Sequence, residues 1–552
     1  MADPTHHEEI MLGLGERPFG LGALLLLVSC GRSDMTLVPS SDSSSSASDG
    51  DSTRGDSGTT ATAGSTSGPT STGIDTSTTE DSLDSGTTDP PPIECGNGII
   101  EPGEPCDDGN DDELDACLPT CELATCGDGL VWSGVEECDD ADLDDDDGCH
   151  LDCTLTQLVA VAAGGNHNCV LVDDGDVRCW GNGNNGRTGY GTTENFGDDE
   201  PAGAAGVVSL GGPVAQVIAG IGHSCVRYPE GTVRCFGRSA EGQLGYGVPG
   251  DIGDDELPLA TAFVPLGGPV DLLSTGSGSF HGCARLTSGD VRCWGDSGAG
   301  RLGVPGLLGP VGDDETPDAI PPVNVGGTVL GLSTGAQHSC ALLDGGAVRC
   351  WGSNASGQLG RGLPGDVGDD EDPADVAAVA VGAVATQIVA GWFHSCALLD
   401  GGAVRCWGRG NNGRLGYGNT TWIGLTDTPA EHGVVDVGGV VVELAAGNAH
   451  TCARLDSGAV RCWGWSAQGQ LGYGNLQDIG DDELPATAGD VPLGGAALQI
   501  VAGANHSCAL LDTGRLRCWG NGGDGRLGYG DLNTIGDDET PAAVGDVPLV
   551  PP

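Results

Sequence analysis

The segment His338-Ser339-Cys340-Ala341-Leu342-Leu343-Asp344-Gly345-Gly346-Ala347-Val348-Arg349-Cys350-Trp351-Gly352 has counterparts in seven copies between residues 154 and 552. Its second cysteine falls at Cys179, Cys235, Cys293, Cys350, Cys406, Cys462 and Cys518, at intervals of 56, 58, 57, 56, 56 and 56 residues. A unit of that length, repeated seven times, marks a solenoid or a propeller, in which each unit buries its apolar face against the next. Helical periodicity is absent, which excludes an α-solenoid. Strand-like runs flank each copy, as in Gln387-Ile388-Val389-Ala390-Gly391 before the hairpin and Val491-Pro492-Leu493 after the acidic loop. About four short strands per unit make one propeller blade. The expected fold is all-β, a seven-bladed β-propeller.

Within each copy the two cysteines are ten residues apart, which leaves room for a three-residue hairpin loop. Those loops read Asp173-Asp174-Gly175, Pro229-Glu230-Gly231, Thr287-Ser288-Gly289, Asp344-Gly345-Gly346, Asp400-Gly401-Gly402, Asp456-Ser457-Gly458 and Asp512-Thr513-Gly514. Glycine always takes the third place, the left-handed position of a type I turn with a G1 bulge. That register sets Cys340 opposite Cys350 and Leu342 opposite Val348 on one buried face. Opposed residues lie within disulfide range. The expected pairs are Cys169–Cys179, Cys225–Cys235, Cys283–Cys293, Cys340–Cys350, Cys396–Cys406, Cys452–Cys462 and Cys508–Cys518. Reduced, buried pairs are the alternative in a cytosolic setting.

The motif set H-S-C-A-L, G-x-V-R-C-W-G and G-Q-L-G-Y-G, carried by seven copies from about Gln157 to Leu549, resembles the regulator-of-chromosome-condensation repeat. The resemblance implies a seven-bladed propeller, and by analogy guanine-nucleotide exchange on a small GTPase with chromatin contact. The array begins just before a Gln-Leu-Val strand and ends just after Val547-Pro548-Leu549, so the last strand is expected to complete the first blade and close the ring.

Three stretches precede the array. Residues 1–30 resemble a bacterial lipoprotein signal: Leu21 to Val28 is apolar, and Leu27-Val28-Ser29-Cys30-Gly31 makes Cys30 the expected lipidated residue. An ordinary secretory signal is the alternative. Residues 31–93, rich in Ser, Thr, Asp and Gly, read as a disordered acidic tether. Residues 94–153 carry eight cysteines in two copies, Cys95, Cys106, Cys117 and Cys121, then Cys126, Cys138, Cys149 and Cys153. A segment this short with so few apolar residues needs cross-links, and four cysteines per copy suit two disulfides each. Zinc is the rival reading, but only the C-x₃-C pairs have metal-ligand spacing. Both copies resemble the Myxococcus-type cysteine-rich repeat. An acidic cluster follows the second cysteine of each, with Asp107, Asp108, Asn110 and Asp111 in one and Asp139, Asp140, Asp142 and Asp144 in the other. Such clusters suit structural Ca²⁺ or simply solvated acid, and their spacing is not that of an EF-hand.

Charge and composition narrow the function. The formal charge is −59 and every one of the 21 cationic side chains is Arg. An acidic chain is not built for nucleic acid, and one without Lys has neither a P-loop nor a Schiff-base lysine. The histidine two residues before each first cysteine (His167, His223, His281, His338, His394, His450 and His506) is spread around the ring, which favours a structural role over one shared metal site. Six copies carry Gly-Asp-Asp-Glu, ending at Glu200, Glu256, Glu315, Glu371, Glu483 and Glu539; sixfold repetition is not how a single acid–base pair is written.

Departures from the repeat are more informative. The fifth copy replaces the acidic loop with Thr421-Trp422-Ile423-Gly424 and carries Trp392-Phe393, while the sixth adds Trp465. Aromatic residues outside the framework suit a binding hot spot on blades five and six; incidental packing is the alternative. The leading expectation is a monomeric, non-catalytic propeller, lipid-anchored at the bacterial outer membrane or cell surface or else secreted, which binds a protein partner. The membrane enters only through the lipid, and no cofactor is expected beyond the Ca²⁺ of the acidic clusters. The second reading is a secreted enzyme inhibitor, as in the related propeller that blocks β-lactamases. Nucleotide exchange ranks lower, given the export signal, the disulfides and the acid. A propeller hydrolase lacks any nonrepeated acid or nucleophile.

Overall fold

The computed structural model describes residues 95–549, apart from 113–114, 129, 134, 137, 139–152 and 155. The signal, Cys30 and the tether lie outside the described residues.

The hairpin forms as its spacing predicts. In blade 4, His338–Leu343 pairs antiparallel with Val348–Gly352, with Cys340 opposite Cys350 and Leu342 opposite Val348. The Leu343 amide donates to the Ala347 carbonyl at 2.8 Å, leaving residues 344–346 as the loop. Gly346 sits at φ +79°, and the matching glycine has positive φ in every blade. That conformation costs a side-chain-bearing residue about 1–2 kcal/mol. All seven hairpin disulfides are made, with Cα–Cα distances of 4.0–4.1 Å. An inner strand, Val329–Thr334 in this blade, completes a sheet ordered inner, middle, outer.

Each blade therefore has three strands rather than four. The expected fourth is reduced to one backbone bond to the outer strand, such as Val379 N–H to Val348 O at 2.8 Å and Val435 N–H to Val404 O at 2.8 Å. Two residues later the chain is committed elsewhere. The Val381 carbonyl accepts from Arg405 of the next blade at 2.8 Å, and Val437 accepts from Arg461 at 2.6 Å. The segment is thus shared between neighbouring blades, and a second ladder cannot form along it.

The ring closes, but not by the expected exchange. Val547 N–H bonds Leu516 O within blade 7, so the last segment completes its own blade. Two residues on, Leu549 O accepts from Arg178 of blade 1 at 3.1 Å, the same bond that Val381 makes to Arg405. Gln499 of blade 7 and Val161 of blade 1 exchange two further bonds. Closure reuses the ordinary seam between blades.

Blade faces are packed by a ring of fully buried aromatics: Trp180, Phe236, Trp294, Trp351, Trp407, Trp463 and Trp519. Each indole N–H donates to a carbonyl of the preceding blade, as Trp351 does to Arg301 and Trp407 to Gln358. In the cysteine-rich stretch the bonds nest, Cys95–Cys121 around Cys106–Cys117, and Cys126 pairs with Cys153.

Candidate functional site

The repeated histidines are seam elements. Each is fully buried at the start of its middle strand. His338 Nε2 lies 2.8 Å from Ser395 Oγ of the next blade, and that hydroxyl donates to the Gln358 carbonyl at 3.0 Å. The hydroxyl's proton being so used, the imidazole is the donor, neutral with its proton on Nε2. His167, His281, His394, His450 and His506 make the equivalent bond, the last to Asn168 across the closing seam. Burial first, then nearby arginines, push their pKa values far down, to about 3 for His338 and His450. They stay uncharged at neutral pH and do not converge on an ion.

His223 is the exception. Blade 3 has Gly282 where other blades have a hydroxyl or amide, and neither ring nitrogen of His223 finds a partner. Gly282→Ser is expected to supply the missing acceptor and to stabilise the protein by about 1 kcal/mol, read as a raised melting temperature. A Cβ there would sit 3.1 Å from the Trp294 ring, so the indole must give by a few tenths of an ångström.

The inner strands enclose a central channel of ≈330 Å³. Its larger polar side chains are bonded to neighbouring protein groups, whereas the Thr334 hydroxyl has no partner. Gln387 bonds both the amide and the carbonyl of Leu444 on the adjacent strand, and Glu443 is paired with Arg454 at 2.7 Å. The glutamines of this wall went unnoticed in the sequence, although Gln387, Glu443 and Gln499 recur at the repeat period. Nothing in the channel pairs a nucleophile with a base.

The acidic loops all leave the outer strand at the same end, where Gly237 bridges Ile252 and Gly352 bridges Val367. Asp198, Asp199 and Glu200 each bring a carboxylate oxygen within 4.8 Å of the others, and the same holds in blades 2, 3 and 4. Partial burial, together with the hydrogen bond that the protonated glutamic acid donates to the adjacent aspartate, raises Glu200, Glu315 and Glu539 to about 7. Glu371 also rises to about 7, through its bond with Asp370 and then burial. The loops make this end of the ring strongly anionic.

Blade 5 breaks that pattern, three residues later in sequence than expected. Gly424-Leu425-Thr426-Asp427 is the true counterpart of Gly-Asp-Asp-Glu: Gly424 N–H donates to Asp427 as Gly197 N–H does to Glu200. The one acid left, Asp427, is bonded to His432 at 2.6 Å. Trp422 stands one residue before the bridging Ile423, where blades 2, 4 and 6 place Asp251, Asp366 and Asp478. Its indole donates to Asn411 Oδ1 at 2.6 Å, and the side chain stays 39% exposed.

The four aromatics do not form one cluster. Phe393 and Trp422 come together around Arg409, whose guanidinium carbon lies 5.7 Å from each ring centroid. Trp392 turns away over the channel mouth and packs on Gly278 of blade 3, where a Cβ would fall 1.8 Å from its indole nitrogen. Trp465, half-buried, occupies in blade 6 the place Arg409 holds in blade 5, since each amide bonds the residue before its histidine. Arg409 was missed because a lone arginine carries no pattern of its own.

In the cysteine-rich stretch Asp107 is committed to the backbone, accepting from the amides of Gly98 and Gly109 at 2.8 and 2.9 Å. Asn110 donates to Asp115 and accepts from the Asp112 amide. The acids that do converge with Asp107 are Glu101 and Glu104, rather than Asp108 and Asp111. Asp139, Asp140, Asp142 and Asp144 lie outside the described residues. Among those described, no helix is long and apolar enough to cross a membrane.

The RCC1-like domain matches residues 123–487, well over half the chain. The chain belongs to the RCC1-like family. A single regulator of chromosome condensation (RCC1) repeat matches residues 498–526 as well. Among RCC1-like relatives, the ultraviolet-B receptor UVR8 of Arabidopsis thaliana is 27% identical over 384 residues, 68% of this chain and 79% of UVR8. The human E3 ubiquitin-protein ligase HERC2 is 30% identical over 322 residues, 58% of this chain but 6% of HERC2. The mitochondrial RCC1 domain-containing protein RUG3 of Arabidopsis thaliana is 28% identical, over 55% of this chain and 65% of RUG3. The crystal structure of human WBSCR16 shares the fold, with a TM-score of 0.51 at 19% identity, covering 64% of this chain and 85% of that one.

Proposed function

We propose that this RCC1-like propeller is a non-catalytic protein-binding module held outside the cytoplasm. The observation that carries the binding role is blade 5, where the acidic loop of the other six blades is lost and exposed Trp422 meets half-buried Phe393 and Arg409. A rigid ring with one aromatic sector suits a single docking orientation. Support for the location comes from the seven stapled hairpins and the nested disulfides of the cysteine-rich stretch, a density typical of oxidising compartments. Lipidation at Cys30 would tether the ring at a surface, and plain secretion would release it. Lack of catalysis fits a channel in which Gln387, Glu443 and Gln499 are each bonded to neighbouring protein groups.

The experiment is crosslinking and capture from the cell surface or culture medium with the full chain. Trp422→Ala combined with Trp465→Ala is expected to lower capture of the specific partner at least tenfold, the scale of a hot-spot aromatic pair, without changing the melting temperature. Undiminished capture by the double variant would overturn the blade 5–6 assignment. Recovery of the native chain in the cytosol with free hairpin thiols would overturn the location.

A further inference from the structure

Several arginines donate to backbone carbonyls, as Arg234, Arg349, Arg405 and Arg414 do. Arg285, Arg301, Arg454, Arg461, Arg517 and Arg526 each pair with a carboxylate. Among the described residues none lies within ion-pair distance of Arg409, and its buried Nε has no hydrogen-bond partner. The guanidinium lies instead within cation–π range of both Phe393 and Trp422, its carbon 5.7 Å from each ring centroid. Contacts of this kind use the charge and leave N–H donors for a partner in the guanidinium plane.

The surroundings have been cleared of acid. Trp422 occupies the aspartate position of blades 2, 4 and 6, Leu425 and Thr426 replace the Asp-Asp pair, and Asp427 is tied to His432. Arg414 lies close enough for the Arg409 charge, after burial, to help lower its pKa to about 10. Blade 5 is therefore a cationic, aromatic window between the acidic loops of blade 4 (Asp369-Asp370-Glu371) and blade 6 (Asp481-Asp482-Glu483).

Building on the blade 5 docking site argued above, we propose that the window receives one carboxylate side chain from a protein partner whose surrounding surface is basic. The carboxylate pairs edge-on with Arg409 beside the two rings, while the partner's Lys and Arg side chains face the flanking acidic loops. A single inverted charge of this kind sets the register of docking, because any other orientation places the acid against acid. A phosphate is disfavoured: two negative charges entering so acidic a face would meet only one unpaired guanidinium.

A randomised linear peptide library panned on the immobilised full chain tests this. Wild type is expected to enrich peptides rich in Lys and Arg that carry Asp or Glu at one constant position. Exchanging that acid for Gln should weaken binding roughly tenfold on wild type and leave it unchanged on Arg409→Gln. Arg409→Lys, which keeps the charge without the planar guanidinium, should recover only part of the preference. An enriched set with no constant acid, or a Gln exchange felt equally by wild type and Arg409→Gln, would overturn the proposal. Trp422→Ala separates the two levels. If it abolishes peptide binding while Arg409→Gln changes nothing, the carboxylate pairing fails and the docking site stands. If neither variant affects binding, or wild type enriches nothing, both fail. Melting curves matching wild type exclude misfolding of the variants.

Discussion

Acidification from about pH 7 to about pH 5.5 is expected to remove roughly 9 kcal/mol from the stability of the propeller, enough to unfold most domains. The cause is the ring of seven buried histidines. Burial lowers their folded-state pKa values, to about 4 for His223 and about 3 for His338 and His450. In the unfolded chain they protonate near the ordinary value of 6.5. Their stabilisation is therefore present above pH ~6.5 and is lost as the pH falls towards the folded values, at about 1.4 kcal/mol per residue per pH unit. The acidic loops work in the opposite sense. Glu200, Glu315, Glu371 and Glu539 are raised to about 7, so their share is present at low pH and lost as the pH rises through 7. These carboxylates sit at the surface where solvent screens them, so the histidines prevail. Thermal melts across this range should show a maximum near neutrality and a steep fall on the acid side. A shallow, carboxylate-like decline beginning only below pH ~4.5 would show that the histidine ring does not control acid stability.

Reduction should be as damaging, and slow to begin. Each hairpin disulfide closes an eleven-residue loop, worth at most about 2.7 kcal/mol by the chain-entropy model. Seven together exceed the ~5–15 kcal/mol that a folded domain has in hand. Both cysteines of every pair are buried, with exposures of 0–3%. A reductant reaches them only after a blade opens. Cys95, Cys106 and Cys126 of the cysteine-rich stretch are half-exposed and should react first. Thiol labelling followed by mass spectrometry is expected to show early labelling in residues 95–153, then cooperative labelling of all fourteen hairpin cysteines as the ring unfolds. Blade-by-blade labelling without loss of structure would mean that the staples are dispensable.

How much of this was legible in the sequence varies with distance along the chain. The hairpin register, its glycine turn and its disulfide follow from residues within fifteen positions of one another, and the structure reproduces all three. The fourth strand was over-read. Its Val-x-Val pattern is strand-like, yet its carbonyl belongs to an arginine of the next blade, a contact invisible within one repeat. The aromatic departures are legible in the repeat, but their grouping is not: Phe393 and Trp422 meet around Arg409, whereas Trp392 packs on Gly278 of blade 3 and Trp465 lies in blade 6.

The sequence by itself determined the number of blades, the staple in each and the place where the acidic ring is broken, because those are properties of a repeat and can be read by aligning the chain with itself. Only the tertiary structure decided what the break contains. Phe393 precedes the middle strand of blade 5 whereas Arg409 and Trp422 follow its outer strand, and which side chains of these loops meet depends on how the strands between them twist and pack. The same holds for the histidine ring: five of the seven Nε2 atoms meet a hydroxyl roughly one repeat away, at a distance along the chain where composition and spacing carry no directional information.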